Sequence, residues 1–319
     1  MHKTIQRQTL VPADMTGLRL DQVAARLMQD FSREQIKGWI AVAELICNGQ
    51  SAKASQRVHE GDCIELATTL TDRTQDVAED LPLNIVYQDE HVLVIDKPAG
   101  WVVHPGAGNR QGTLLNALLH FDPGLAELPR AGIVHRLDKD TSGLLVVART
   151  AKAQSSLIEQ LKDRSLHRCY QAFVYGVTPA EGQVDAPVGR HPHDRLRMDV
   201  VAGGKPALTR YRQLASFSGC SHLELRLATG RTHQIRVHMT HLGFPLLGDP
   251  VYRQRKGPAL PLALQQVIGH LGRQALHACE LGLIHPGSGE YLSWQSALPQ
   301  DMQALLLALK TGSWLSFPD

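Results

Sequence analysis

The sequence has no run of about 18 apolar residues, so hydropathy gives no membrane-spanning helix. Its start, MHKTIQRQTLVPAD, lacks the apolar stretch of a signal peptide, and residues 1–13 are expected to be a disordered polar tail. Cysteine is sparse. Cys47, Cys63, Cys169, Cys220 and Cys279 are odd in number, scattered and never spaced C-x-x-C. That argues against a disulfide or zinc framework and for the reduced thiols of a cytoplasmic protein. No dinucleotide or P-loop glycine pattern and no repeat of fixed period occurs, so a nucleotide-binding fold or a solenoid is not indicated. Neither sign of charge dominates: 33 Lys and Arg against 31 Asp and Glu leave a net charge of +2. Any basic surface must be local. The arginines of HDRLRM (193–198) and YRQRKG (252–257), taken singly, read as solvated loops.

What remains describes a chain with ample core: 319 residues, 43% hydrophobic and 20% charged, enough for two domains. In the first, residues 14–67, Leu20, Val23, Ala24 and Leu27 recur at helical spacing. Ser32 is a candidate N-cap for a second helix whose inner face carries Ile36, Trp39 and Ile40. Asn48-Gly49 and Glu60-Gly61-Asp62 are turn signals between short strands. Residues 68–80, polar and acidic, read as a linker. From 81 to 305 strand-like runs (LNIVYQDEHVLVIDKP, YQAFVYGV, SHLELRLAT) mix with helical ones (AKAQSSLIEQLKD) without regular alternation. The expectation is an α+β domain with a mixed, mainly antiparallel sheet flanked by helices. Residues 306–319 close the chain as a tail, part packed helix and part frayed end.

Three clusters carry candidate chemistry. In GIVHRLDKDTSGLLVVART (132–150), charged residues stand directly before a run that reads as a buried strand. Buried charge is costly unless paired or used. Asp140, adjoining the Thr141-Ser142-Gly143 turn, fits a turn cap, which leaves Asp138 as the candidate for chemistry. In LATGRTHQIRVHMTHLG (227–243), Gly230 and Thr232 open a helical pattern closed by Gly243, and Arg231 at its start could aim a guanidinium at a carboxylate. His233, His238 and His241 invite a metal reading. However, 233 and 238 are roughly 140° apart around a helix, and no third ligand joins His238 and His241. In RCYQAFVYG (168–176), alternation puts Tyr170, Ala172 and Val174 on one face, where Tyr170 is either core or a platform for a stacked base.

Taken in order, DKPAGWVVHPGAGN, HRLDKDTSGL, RCYQAFVYG and GRTHQIRVHM resemble the signature regions of the RluA-type pseudouridine synthases. The first domain resembles the S4 RNA-binding module through Arg19-Leu20-Asp21, Ser32-Arg33, Cys47-Asn48-Gly49, where Cys47 departs from the usual valine, and Gly61-Asp62. Together the likenesses cover about residues 15–305. They imply an isomerase that moves the glycosidic bond of a flipped uridine from N1 to C5, with no cofactor and no metal. Residue by residue they imply Asp138 as nucleophile, Tyr170 stacking on the uracil, and Arg231 paired with the aspartate. They also imply Arg136 entering the RNA with His135 beside it, and Leu227 lining the pocket. Arg33 and Lys37, one helical turn apart, would grip phosphates, although residues 1–75 hold nine Lys and Arg against nine Asp and Glu. The implied partner is 23S rRNA or an assembling large ribosomal subunit, met by a monomer. The alternatives are the same chemistry on tRNA or another rRNA site, a non-catalytic ribosome-assembly protein, or a metal-dependent hydrolase.

Overall fold

In a computed structural model, which describes residues 3–28, 31, 33–70, 77–106, 108–194, 197–217, 219–253 and 260–311, residues 3–10 form a strand. Strand β1 (Lys3–Leu10) pairs along its whole length with β3 (Cys63–Leu70), from Lys3 opposite Leu70 to Leu10 opposite Cys63. Local composition missed this strand because its hydrogen-bond partner lies some sixty residues away. It corrects the expected tail, and β3 also takes the first three residues of the expected linker.

The chain divides into two units, residues 1–75 and 76–319. In the first, α1 (Leu20–Leu27), α2 (Arg33–Ala41) and β2 (Leu45–Cys47) join a three-stranded antiparallel sheet of order β1-β3-β2. Leu20, Val23, Ile36, Ile40, Leu45 and Ile64 form its core, as the spacing of the apolar positions requires. Ser32 lies outside the described residues, as do 71–76 of the linker.

The second unit runs β4 (Ile85–Gln88), β5 (Val92–Lys97), α3 (Leu114–Phe121), β6 (Ser142–Ala148), α4 (Ala151–Asp163), β7 (His167–Tyr175), β8 (Glu181–Asp185), β9 (Val188–Arg190) and β10 (Met198–Val200). It continues with β11 (Leu208–Phe217), β12 (Cys220–Leu227), α5 (Gln234–His241), α6 (Leu262–Leu271), β13 (Leu276–Ile284), β14 (Tyr291–Gln295) and α7 (Gln300–Thr311). Its main sheet has the order β4-β5-β6-β13-β7-β12-β11-β8, with β14 on β13, while β9 and β10 pair separately. Among the described strands only β6 and β13 pair in parallel, so the sheet is mixed and mainly antiparallel. Helix α7 buries Leu305, Ala308 and Leu309 and crosses residue 306, so the domain ends later than expected. No helix among the described residues is long and apolar enough to cross a membrane.

Strand β6 explains why HRLDKD is followed by apolar residues. Leu145 and Val147 pack on one face with Leu118, Tyr170, Ile235 and Met239, while Leu144 and Val146 pack on the other with Leu157 of α4. Each fully buried side chain of this kind contributes about 1.5–3 kcal/mol. At the strand's start, Gly143 (φ +111°) lies against β13, and a Cβ there would stand 2.2 Å from the Ala278 carbonyl oxygen. Only glycine permits that approach.

Candidate active site

The loop before β6 is pinned through its main chain, residue by residue. Lys97, at the end of β5 and fully buried, donates from Nζ to the carbonyls of Pro98 (2.8 Å), Trp101 (3.0 Å) and Lys139 (3.0 Å). The Gly100 amide donates to the same Lys139 carbonyl at 3.0 Å, so the DKPAG and HRLDKD loops are joined at one oxygen. Arg273 Nη1 donates to the Asp140 carbonyl at 3.0 Å while its other edge holds Asp301 of α7, and Gln274 Nε2 donates to Thr141 Oγ1 at 3.1 Å. Asp140 therefore acts through its carbonyl: among the described residues its carboxylate makes no hydrogen bond, contrary to the expected turn cap. Burial pulls the Lys97 ammonium down to about 7, against the carboxylates of Asp140 and Asp138.

Between these anchors the Asp138 side chain is left facing the cleft, 16% exposed. Its partner is Arg236, whose Nη1 lies 3.1 Å from Asp138 Oδ2. The expected partner, Arg231, is elsewhere. Helix α5 starts at Gln234, three residues later than the sequence pattern suggests, because His233 takes a left-handed conformation (φ 56°) ahead of it. The buried Gln234 side chain accepts from Thr229 Oγ1 and the Arg231 amide and donates to Thr209 Oγ1. Arg231 is thereby held in the preceding turn, where its Nε donates to the Pro206 carbonyl at 3.1 Å. Arg236, on the first turn of α5, occupies the position expected of Arg231.

Arg236 is itself fixed from behind. Its Nε and Nη2 donate to the fully buried Asp249 at 2.7 and 2.9 Å, and the Asp249 carboxylate also receives the amides of Val251 and Tyr252. Burial works against the Arg236 charge, but Asp249 and then Asp138 outweigh it and raise its pKa. The Tyr252 ring lies 5.0 Å below the guanidinium, and the Tyr252 hydroxyl accepts from the Met198 amide and is hydrogen-bonded with His233 Nδ1 at 2.9 Å.

Tyr170 lines the same sheet face, 5% exposed, and burial pushes its phenol up to about 12. At neutral pH it is a neutral ring with a hydroxyl, suited to stacking and ill suited to act as a phenolate base. Leu227 packs against the cluster holding Tyr170. Arg136 is exposed at the loop's outer side. His135 faces inward instead: its Nε2 accepts the Val146 amide at 3.1 Å, and burial, with Arg168 adding to it, pulls the ring down to about 3. It ties the loop to β6 rather than presenting itself to RNA. Both ring nitrogens of His238 are engaged, by Thr209 Oγ1 and the Ala186 carbonyl, so it is a core histidine. In the first unit, Arg33 does not extend freely beside Lys37, because its Nε and Nη2 bind Asp21 at 3.0 and 2.7 Å.

Sequence reasoning missed Lys97, Arg236, Asp249, Arg273 and Gln274. Lys97 and Arg236 were inside the quoted motifs, and their signal was burial, since each sits among apolar neighbours where an unused cation would be costly.

A family described as RNA pseudouridylate synthase matches residues 91–241. The chain is 49% identical over 312 residues to a ribosomal large subunit pseudouridine synthase D of Pseudomonas aeruginosa, covering 97% of this chain and 98% of that one. It is 51% identical over 301 residues to the protein of that name from Nitrosomonas europaea, covering 94% and 87%. Among solved structures, human RNA pseudouridylate synthase domain containing 4 aligns with a TM-score of 0.57 at 27% identity, covering 74% of this chain and 95% of that one. Domain containing 1 aligns at 0.54 and 25%, covering 76% and 99%. With a partly open carboxylate held by Arg236 near a buried tyrosine and likeness along nearly the whole length, the chain belongs to the RNA pseudouridylate synthase family.

Proposed function

We propose that this enzyme converts uridines of 23S rRNA in the large ribosomal subunit to pseudouridine, with Asp138 as the carboxylate that acts on the target nucleoside. The reaction moves the glycosidic bond between two atoms of one base, so the site must hold a sugar, a detached uracil and a poised carboxylate, and needs no electron or phosphoryl carrier. The observation that carries the reading is the Asp138–Arg236–Asp249 array. Asp249 takes donors from Nε and Nη2 of Arg236, and Nη1 fixes Asp138 without enclosing it. A carboxylate oriented this way needs little reorganisation when the sugar arrives.

Arg136 enters the RNA as the uridine leaves its stack, a step that costs roughly a few kcal/mol. Tyr170 and Leu227 supply the wall against which the uracil turns. The N-terminal unit serves as an S4-like RNA-binding module, with Lys37 and the exposed part of Arg33 toward phosphates. The large-subunit target rests on the names of the relatives. Pseudouridine mapping of rRNA and tRNA from cells lacking the protein tests it: losses confined to 23S rRNA are expected, and losses confined to tRNA would overturn the substrate. Purified Asp138→Asn is expected to fold and bind RNA but form no pseudouridine, and measurable turnover would remove Asp138 from its role.

A further inference from the structure

Arg168 is a buried charge without a counter-charge. It lies on β7, two residues before Tyr170, and is 7% exposed. Yet its guanidinium makes no hydrogen bond or ion pair to any described residue, and its Nε is a buried donor left unsatisfied. A cation buried this far without a counter-charge is among the costliest arrangements a fold can hold. Arg168 differs in this from Arg236 and Arg273, each of which is buried on a carboxylate.

Its surroundings say what it faces. Alternation along β7 places Arg168 and Tyr170 on one face, about 7 Å apart along the strand. Nη1 lies 2.8 Å from the place a Cβ on Gly230 would take, so the guanidinium reaches the GRTHQ loop where that loop has no side chain. His135 of the HRLDKD loop is near enough for its imidazole to feel the Arg168 charge. The group is thus bracketed by the tyrosine and by both loops of the cleft. The carboxylates of the cleft, Asp138 and Asp249, are both taken up by Arg236.

We infer that Arg168 is a further catalytic residue: its guanidinium receives a carbonyl oxygen of the target uracil and stabilises the negative charge the base acquires on leaving the ribose. This rests on the reading of Tyr170 as the wall beside the base. When the N1–C1′ bond breaks, its electron pair stays on the uracil and spreads to O2 and O4. When C5 bonds to C1′ a pair enters the new bond; the C5 proton then leaves to solvent, its C–H pair returns to the ring, and N1 takes up a proton, so the product is an isomer of the substrate. A guanidinium waiting unneutralised gains its partner only while that charge exists, which is the condition for lowering a barrier. A ring edge fits a site this closed, whereas an RNA phosphodiester, bulky and hydrated, does not.

The test uses the full-length enzyme and an rRNA fragment carrying the target site, with wild type run in parallel. Failure of wild type to form pseudouridine would reject the substrate reading, not this one. Arg168→Met is expected to lose roughly 10²- to 10³-fold in single-turnover rate at saturating RNA. It is also expected to melt at or above the wild-type temperature, because a buried unpaired charge has been removed. With 2-thiouridine or 4-thiouridine at the target, wild type should slow on one of the two, and Arg168→Met should not slow further. Three results would overturn the inference. One is a variant with the wild-type rate. Another is a deficit lying wholly in RNA affinity, with a shallower salt dependence, which marks a phosphate contact. The third is a lowered melting temperature with thio effects unchanged from wild type and stability restored by Arg168→Lys, which marks a structural role.

Discussion

Each unit holds an array of buried aspartate and arginine, and the two arrays have opposite charge balance. In residues 1–75 the fully buried Asp21 accepts from Arg19 at 3.0 Å and Arg33 at 2.7 Å, and both arginine side chains are nearly half exposed, at 43% and 46%. One anion serves two cations, and the surplus positive charge faces water. In residues 76–319 Arg236, 5% exposed, serves the fully buried Asp249 and the partly open Asp138. One cation serves two anions, and the surplus negative charge faces the cleft. The same residue types therefore leave a basic rim in one unit and a partly open carboxylate in the other. What decides the outcome is which member is buried with spare hydrogen-bonding capacity.

The largest expected effect follows from removing the shared cation. Arg236→Met strands Asp249 in the interior and releases Asp138. A loss of about 3–5 kcal/mol in unfolding free energy should accompany a rate loss of roughly 10²-fold or more. Arg236→Lys should recover little, because one ammonium cannot make the fork to Asp249 and reach Asp138 as well. Arg231→Met, which removes one bond to a carbonyl, should stay within about 1 kcal/mol of wild type. Urea unfolding and single-turnover assays on the three variants check this, and equal damage from Arg231→Met would restore Arg231 as the partner of the aspartate.

That pair of arginines also marks how far the sequence could be read. The architecture was legible because it is written in local periodicity: α4 spans the AKAQSSLIEQLKD run in full, and β6, β7 and β12 fall on the runs read as strands. Asp138 was legible because it stands where charge meets a buried strand. The choice between Arg231 and Arg236 was not, since it turns on where α5 begins, and that is set by the Gln234 side chain bonding to Thr209 on another strand. Arg33 read as free for the same reason, as Asp21 is twelve residues away and nothing local pairs them. The anchors on Lys139, Asp140 and Thr141 come from two segments distant in sequence, Lys97 with Gly100 and Arg273 with Gln274, and no motif spacing encodes them.

Lys97 breaks the symmetry of the two arrays, being a fully buried cation held by carbonyl oxygens alone. Its folded pKa, about 7, lies below the unfolded value of about 10.4. Between those values the unfolded chain binds more protons, so this group makes stability rise with pH from about 7 to about 10.4, by at most about 1.4 kcal/mol per pH unit. Below pH 7 both states are protonated and the cost of burying the charge is fully present. Unfolding free energies of wild type and Lys97→Met from pH 6 to 10 should diverge in that direction, with the slope lost in the variant. Parallel curves would mean that the ammonium is not desolvated in solution.

A smaller effect than that of Arg236→Met is expected where the surplus charge already faces water. Asp21→Asn keeps the size of the side chain but loses its charge. Arg19 and Arg33 can then turn to solvent, so the first unit should lose only about 1–3 kcal/mol. Pseudouridine formation on a short RNA fragment should be unchanged, because Asp138, Arg236 and Asp249 all belong to the other unit. The acid limb gives a sharper readout. Burial opposes ionisation of Asp21, but hydrogen bonds from Arg19 and Arg33 prevail and lower its pKa. A carboxyl whose folded pKa is depressed stabilises above its unfolded value, about 3.9, and that stability is lost as pH falls through the folded value. Hydrogen exchange of residues 3–70 in wild type should therefore show protection falling below about pH 4, and Asp21→Asn should flatten that fall. An unchanged acid limb in the variant would show that Asp21 does not hold the two arginines in solution, and the basic rim would lose its organising anion.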